Sequence, residues 1–243
     1  MKILEKTDIG LVREENQDTC NTRQIGEYFS AVVCDGMGGT KGGRVASSLA
    51  VDVYQQSLEG KIRSGMKLNE LNKAIQQSIT LANDAVYQRS SQEEELQHMG
   101  TTLVSALVNE RTALIANVGD SRAYHITEEG IRQISRDHSV VENMVERGDL
   151  TPQEAKRHPR RNLITRALGP DTAVEADIFQ TNWTRGDMIL LCSDGLVNTV
   201  SDQEILFELI HHGEPDTCLD RLLALSLERG APDNVTMLLI VNL

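Results

Sequence analysis

Asp35, Asp120 and Asp194 each stand where a short apolar run ends. The runs are Ala31-Val32-Val33-Cys34, Ile115-Ala116-Asn117-Val118-Gly119 and Leu190-Leu191-Cys192-Ser193. Asp233 stands instead just before such a run, Asn234-Val235-Thr236-Met237-Leu238-Leu239-Ile240. In an antiparallel sheet one strand ends beside the start of its neighbour, so the four carboxylates are expected to converge on one sheet edge. Singly, each is explained by turn chemistry, since Asp-Gly and Gly-Asp are ordinary turn dipeptides. Together they form an acidic pocket in which each carboxylate raises its neighbours' pKa unless a cation holds them. An oxygen-only ligand set, with no His or Cys group, selects hard ions such as Mg²⁺ or Mn²⁺ over Zn²⁺. Calcium is left open, although the D-x-D-x-D-G loop of an EF-hand is missing.

Gly36, Gly38, Gly39, Gly42 and Gly43 crowd the turn after Asp35, where the backbone must approach something closely or adopt positive φ. Neither G-x-x-x-x-G-K-[ST] nor G-x-G-x-x-G is present, which argues against a nucleotide cradle. The turn is read as freeing the Gly36 carbonyl for a metal.

The elements that must carry these groups are short. Strands are predicted over Tyr28–Cys34, Thr102–Val108, Ala113–Val118, Ala123–Ile126, Ile131–Ile134, Met188–Cys192 and Val235–Val241, several separated by a turn alone, which favours antiparallel meanders. Helical periodicity marks Gly43–Leu58, Leu68–Arg89, Ser201–His211 and Asp216–Arg229. Ser201 with Glu204 forms a capping box and Gly230 supplies a helix stop. A second capping box, Thr151-Pro152-Gln153-Glu154, opens a short helix in a polar excursion between Ser139 and Asn162. The pattern is that of an α+β layered domain.

The 243 residues contain no internal repeat or linker, so one domain over 1–243 is expected, with the 139–162 excursion inside it. With 24 basic and 36 acidic residues the net charge is −12, which disfavours nucleic acid as a partner. Apolar runs fall short of the ~20 residues of a membrane helix, and Met1-Lys2-Ile3-Leu4-Glu5-Lys6 has no secretory h-region, so the cytoplasm is the expected location and no membrane partner is expected. Cys20, Cys34, Cys192 and Cys218 show no C-x-x-C spacing; Cys34 and Cys192 are read as buried apolar residues in a reducing compartment.

Seven motifs in order carry a family resemblance: Val12-Arg13-Glu14-Glu15-Asn16-Gln17-Asp18, Asp35-Gly36-Met37-Gly38-Gly39, Met99-Gly100-Thr101-Thr102, Asn117-Val118-Gly119-Asp120-Ser121-Arg122, Asp137-His138-Ser139, Ser193-Asp194-Gly195 and Asp233-Asn234-Val235-Thr236. Over nearly the whole chain they resemble the type 2C, or PPM, metal-dependent serine/threonine protein phosphatases, in particular the bacterial branch. The resemblance implies a four-layer α-β-β-α sandwich of two antiparallel sheets flanked by helix pairs, with a small flap. It implies hydrolysis of phosphoserine and phosphothreonine by a hydroxide bridging two Mg²⁺ or Mn²⁺ ions. Asp35 would be shared by both ions, the Gly36 carbonyl would bind one, and Asp194 and Asp233 would complete the first. Asp120, with help from Asp194, would hold a third. Asp18 would orient metal-bound water, and Arg13 would bind phosphate through its guanidinium fork. Phosphorylated proteins are the implied partners, with a serine/threonine kinase as counterpart; a monomer is expected.

Three departures leave the general acid unassigned. Met37 stands where animal enzymes have a histidine, Thr40 where many bacterial members have one, and Gln17 where some relatives have glutamate. The histidines His98, His125, His138, His158, His211 and His212 are read as structural. Arg122 and Asp137 are read as pocket supports. Two rivals were weighed: a binding protein that has lost catalysis, against which Asp35, Asp194 and Asp233 all being present argues, and a metal-dependent nuclease, which fits poorly with the charge. No Cys is followed six positions later by Arg, so the nucleophile loop of tyrosine phosphatases is absent.

Overall fold

The structure is a computed structural model describing residues 1–211 and 215–243, so His212 lies outside the described residues. Eleven strands are described: β1 (Lys2–Asp8), β2 (Asp18–Ile25), β3 (Tyr28–Met37), β4 (Gly100–Thr101), β5 (Leu103–Val108), β6 (Ala113–Val118), β7 (Arg122–Thr127), β8 (Gly130–Gln133), β9 (Asp177–Thr181), β10 (Met188–Cys192) and β11 (Val235–Val241). Seven α-helices are described: α1 (Gly39–Lys61), α2 (Leu68–Gln92), α3 (Val140–Glu146), α4 (Pro152–Ala155), α5 (Asp194–Val197), α6 (Asp202–His211) and α7 (Pro215–Glu228). One sheet runs β1-β11-β10-β7-β8; the other runs β2-β3-β5-β6-β9, with β4 added on β3. All pairings are antiparallel.

The period-two alternation of the central strands builds the layers. Ala31 and Val33 of β3 pack with Ile189 and Leu191 of β10 and Leu238 and Ile240 of β11, forming the core between the sheets. Val32 and Cys34 face the other way, into a core with α1 and α2. Leu190, Cys192 and Leu239 likewise pack under α5, α6 and α7. Strands covered on both faces are buried at every position, as β5, β6 and β11 are, and therefore read as unbroken apolar runs. The α-β-β-α order is the expected one. Among the described residues, no helix is long and apolar enough to cross a membrane.

The missed strands are the sheet edges. β1, β2 and β9 each pair with a single neighbour, and their sequences KILEKTD, DTCNTRQI and DIFQT are half-exposed and polar, so no apolar run betrays them. Other expectations shift at their ends. β3 runs on to Met37 because Gly36 and Met37 pair with Thr101 and Gly100, so Asp35 lies within a strand rather than at its exit. The predicted strand Thr102–Val108 is β5, one residue shorter, the short β4 before it was not expected, and Ile131–Ile134 moves back to β8. Helix α1 begins at Gly39, because Gly42 and Gly43 lie inside it where side chains have no room: a Cβ on Gly43 would sit 2.3 Å from Gln17 Oε1. The α2, α6 and α7 limits differ from expectation by a few residues, and Ser201 caps rather than begins α6.

The larger correction concerns the carboxylates. They do not share one sheet edge: Asp35 belongs to the β2–β9 sheet, Asp194 and Asp233 flank strands of the other, and Asp120 lies on the connection between β6 and β7, where the chain changes sheets. They meet at a common end of the sandwich because both sheets direct the relevant strand ends there.

Candidate metal and phosphate site

A cleft of about 930 Å³ opens at that end, and Arg13, Asp35, Gly36, Asp120, Asp194 and Asp233 all line it. Asp18 lies behind it, directly opposite Asp35 in the β2–β3 register and 7% exposed.

The backbone of Asp35 is held on both sides. Its N–H donates to Thr102 Oγ1 at 2.9 Å, and its carbonyl accepts from Thr101 Oγ1 at 2.8 Å and from the Thr102 amide at 2.9 Å. Gly36 is obligatory, since a Cβ there would lie 2.0 Å from the Gly43 carbonyl oxygen. Ser193 joins the two sheets behind the site: its hydroxyl donates to Asp18 Oδ2 at 2.7 Å and accepts from the Thr236 amide at 3.0 Å. Asp194 opens α5, with Asn198 Nδ2 donating to its Oδ2 at 3.0 Å. Asp233 accepts from its neighbour's amide, that of Asn234, at 2.9 Å and from Arg13 Nη2 at 2.7 Å. The Asn234 side chain accepts from the Gln17 amide at 2.8 Å and donates to the Ile9 and Glu15 carbonyls, pinning the loop that carries Arg13 beside Asp233.

The chain as a whole has counterparts. A family model described as protein phosphatase 2C matches residues 12–224. The serine/threonine phosphatase stp of Listeria monocytogenes is 34% identical over 236 residues, 97% of this chain and 93% of that protein. The crystal structure of serine/threonine phosphatase Stp1 from Staphylococcus aureus is similar at a TM-score of 0.92 and 37% identity, covering 98% of this chain and 93% of that one. That of the Mycobacterium tuberculosis serine/threonine phosphatase PstP/Ppp is similar at 0.87 and 35%, covering 98% and 97%. The chain belongs to the protein phosphatase 2C family. It is a protein-serine/threonine phosphatase.

The electrostatics of this phosphatase's cleft are those of crowded, half-buried carboxylates. Burial pushes Asp35 well above the usual aspartate range, and the charges of Asp18, Asp194, Asp120 and Asp233 push it further. Burial, then Asp194 and Asp137, raises Asp120 to about 8. Burial and the neighbouring carboxylates raise Asp18 and Asp194 to about 6. Oδ1 of Asp18 and Oδ1 of Asp194 are buried with no hydrogen-bond partner. Among the described residues no three His, Cys, Asp or Glu side chains are already gathered as a ready-made metal site. The donor chemistry nevertheless suits a hard cation, since charged oxygens that raise one another's pKa and lack donors are what such an ion satisfies.

Asp35, Gly36, Asp120, Asp194 and Asp233 are thus brought together, with Asp18 behind and Arg13 at the mouth. Arg13 does not stand free for phosphate but is paired with Asp233. Met37 lines the cleft, and among the described residues no histidine does. The Arg122–Asp137 pair is a three-contact one, at 3.0, 3.0 and 2.7 Å, extended by Tyr124. Thr101, Thr102, Ser193 and Asn234 were not singled out from the sequence. Each is a hydroxyl or amide residue inside a quoted motif, and two of them, Ser193 and Asn234, stand one position from an aspartate, which is the signal that could have found them.

Proposed function

We propose that this phosphatase hydrolyses phosphoserine and phosphothreonine in proteins with a Mg²⁺ or Mn²⁺ centre held by Asp35, the Gly36 carbonyl, Asp194 and Asp233, and with a third ion held by Asp120 together with Asp194. The observation that carries the reading is the set of half-buried carboxylates that crowd the cleft and raise one another's pKa, with Oδ1 of Asp194 left without a hydrogen-bond partner. When bound, such ions would lower the pKa of an attacking water and neutralise the phosphoryl oxygens. Asp18, whose Oδ2 accepts from the Ser193 hydroxyl, is the residue assigned to orient water at the metal centre. Arg13, 54% exposed at the mouth, offers a planar fork that matches two phosphoryl oxygens.

The segment 139–162 forms a flap whose root reaches the site. Ser139 bridges Ile164, and both Asn162 and Ile164 line the cleft, while Arg157, Arg160 and Arg161 are exposed. In a chain of net charge −12, this basic stretch suits phosphorylated proteins, the products of a serine/threonine kinase. The buried thiols of Cys34 and Cys192, outside any disulfide, suit a reducing, cytoplasmic compartment. We read 1–243 as one catalytic unit acting as a monomer.

The test offers the metal-stripped protein a phosphothreonine peptide and a short oligonucleotide, each with Mn²⁺. Release of phosphate from the peptide alone supports the reading. Cleavage of the oligonucleotide points to a nuclease, and binding of the peptide without turnover to a recognition protein.

A further inference from the structure

The loop that presents Asp120 is held by a histidine that does not enter the cleft. Gly119, the residue before Asp120, has φ +106, and a Cβ on it would meet Thr102 Cγ2 at 2.6 Å. Its peptide groups are clamped from outside by His138. The Gly119 amide donates to His138 Nδ1 at 3.0 Å, and the His138 amide donates back to the Gly119 carbonyl at 2.9 Å. Asn117 Nδ2 adds a second donor to that carbonyl at 3.1 Å.

The direction of these bonds fixes the ring. A backbone amide can only donate, so Nδ1 is the acceptor and a neutral ring carries its proton on Nε2. Nε2 lies 3.2 Å from Asp177 Oδ2, which takes that proton's hydrogen bond. Arg166 Nη1 lies 3.2 Å from the same nitrogen, but two donors cannot bond each other. Its hydrogen bonds go to Asp177 Oδ1 at 2.9 Å and the Glu175 carbonyl at 3.0 Å. The ring is 5% exposed, so it has no water with which to replace these partners. The His138 carbonyl, finally, accepts from the Thr165 amide at 2.7 Å, and the adjoining Ser139–Ile164 bridge closes the root of the flap.

We infer that His138 is a positioning residue for Asp120, acting through the Gly119 peptide and oriented by Asp177, and that it joins the Asp120 loop to the root of the flap. The inference rests on the reading of Asp120 as a carboxylate that holds a metal ion. Removal of the ring frees the Gly119 amide and lets the Asp120 carboxylate swing; partners one step behind a ligand typically cost about 10–100-fold in metal affinity or activity.

The experiment uses the full chain and four variants: His138→Ala, His138→Asn, Asp120→Ala and the double variant His138→Ala/Asp120→Ala. The Asn side-chain oxygen stands near the place of Nδ1 and can accept from Gly119. Readouts are Mn²⁺ stoichiometry by calorimetry without substrate and the Mn²⁺ concentration giving half-maximal phosphopeptide turnover. His138→Ala is expected to raise that concentration about tenfold, His138→Asn to restore most of it, and the double variant to match Asp120→Ala, since coupled residues are not additive. Wild-type Mn²⁺ dependence in a folded His138→Ala, or additive losses in the double variant, overturns the inference. If Asp120→Ala itself shows wild-type stoichiometry and Mn²⁺ dependence, the reading of Asp120 fails first and the inference falls with it. A measurement that needs no variant is ¹⁵N NMR of the metal-free protein at neutral pH: Nδ1 should be bare and Nε2 protonated. The opposite tautomer or a charged ring contradicts the clamp.

Discussion

The floor of the cleft and the flap are built by opposite means. On the floor, side chains and backbone from both sheets are buried and cross-linked over long stretches of sequence, as in Ser193 to Asp18 and Asn234 to Gln17, and Gly36 and Gly43 are packed too closely for any Cβ. The flap is held mostly by neighbours in sequence. The Ser139 hydroxyl accepts from the Glu142 amide, Thr151 and Glu154 cap each other, and apart from Ser139 at its root only Val141 and Ala155 are buried between 139 and 162. The floor crowds negative charge on half-buried side chains at a cost in electrostatic repulsion, whereas the flap spreads positive charge on exposed ones, where it costs little. Such a division suits a floor that does chemistry and a flap that meets varied protein surfaces.

Breaking the floor should have the largest effect. Asp35→Asn removes the carboxylate proposed to be shared by two ions and should lower phosphopeptide turnover by at least ~10³, the scale of losing a key electrostatic contact in the transition state. The same change relieves charge repulsion, so the metal-free variant should melt higher than the metal-free wild type; calorimetric scans in chelator check this. Asp120→Ala should come next, keeping two tightly bound metals by calorimetry while losing most activity. Loss of all metal in that variant would mean that Asp120 belongs to the main centre.

Changes in the flap should be smaller and selective. Arg157→Ala, Arg160→Ala and Arg161→Ala together should raise KM for phosphoproteins several-fold and leave p-nitrophenyl phosphate turnover nearly unchanged, the pattern of lost uniform binding. Equal effects on both substrates would deny the flap a recognition role.

The smallest expected effect is a pH dependence of stability. Asp18 and Asp194 titrate near 6 and Asp120 near 8 in the folded chain, above the ordinary aspartate value of 3.8. The folded protein therefore holds these protons more tightly than the unfolded one. Their contribution is fully present below about pH 4 and is lost as pH rises toward 8. A bound cation displaces the protons and reverses that loss, so Mn²⁺ should raise Tm more at pH 8 than at pH 5.5. An equal rise at both values would show that the carboxylates do not take up the ion.

Much of this was legible in the sequence, for physical reasons. The core strands announce themselves because both faces are covered, and Asp35, Asp120, Asp194 and Asp233 are conspicuous as charges attached to apolar runs. The capping box at Thr151 is local and appears as expected, and at Ser201 the Glu204 carboxylate accepts from the Ser201 amide and hydroxyl. What was not legible is what depends on distant partners. The edge strands β1, β2 and β9 are specified by one neighbour each and carry polar residues, and α5 is a single turn that starts at Asp194 itself. The continuation of β3 through Asp35 depends on Gly100 and Thr101, far along the chain. Nor does anything near Arg13 reveal that it pairs with Asp233, because that contact joins the two ends of the chain.

The most direct test of the account is Mn²⁺ binding and phosphopeptide hydrolysis measured on one metal-stripped preparation of the wild type and of Asp35→Asn. The account predicts no hydrolysis by the wild type in chelator, recovery as Mn²⁺ fills at least two sites per chain, and fewer filled sites with no recovery in the variant. Full turnover by the metal-stripped wild type would contradict it.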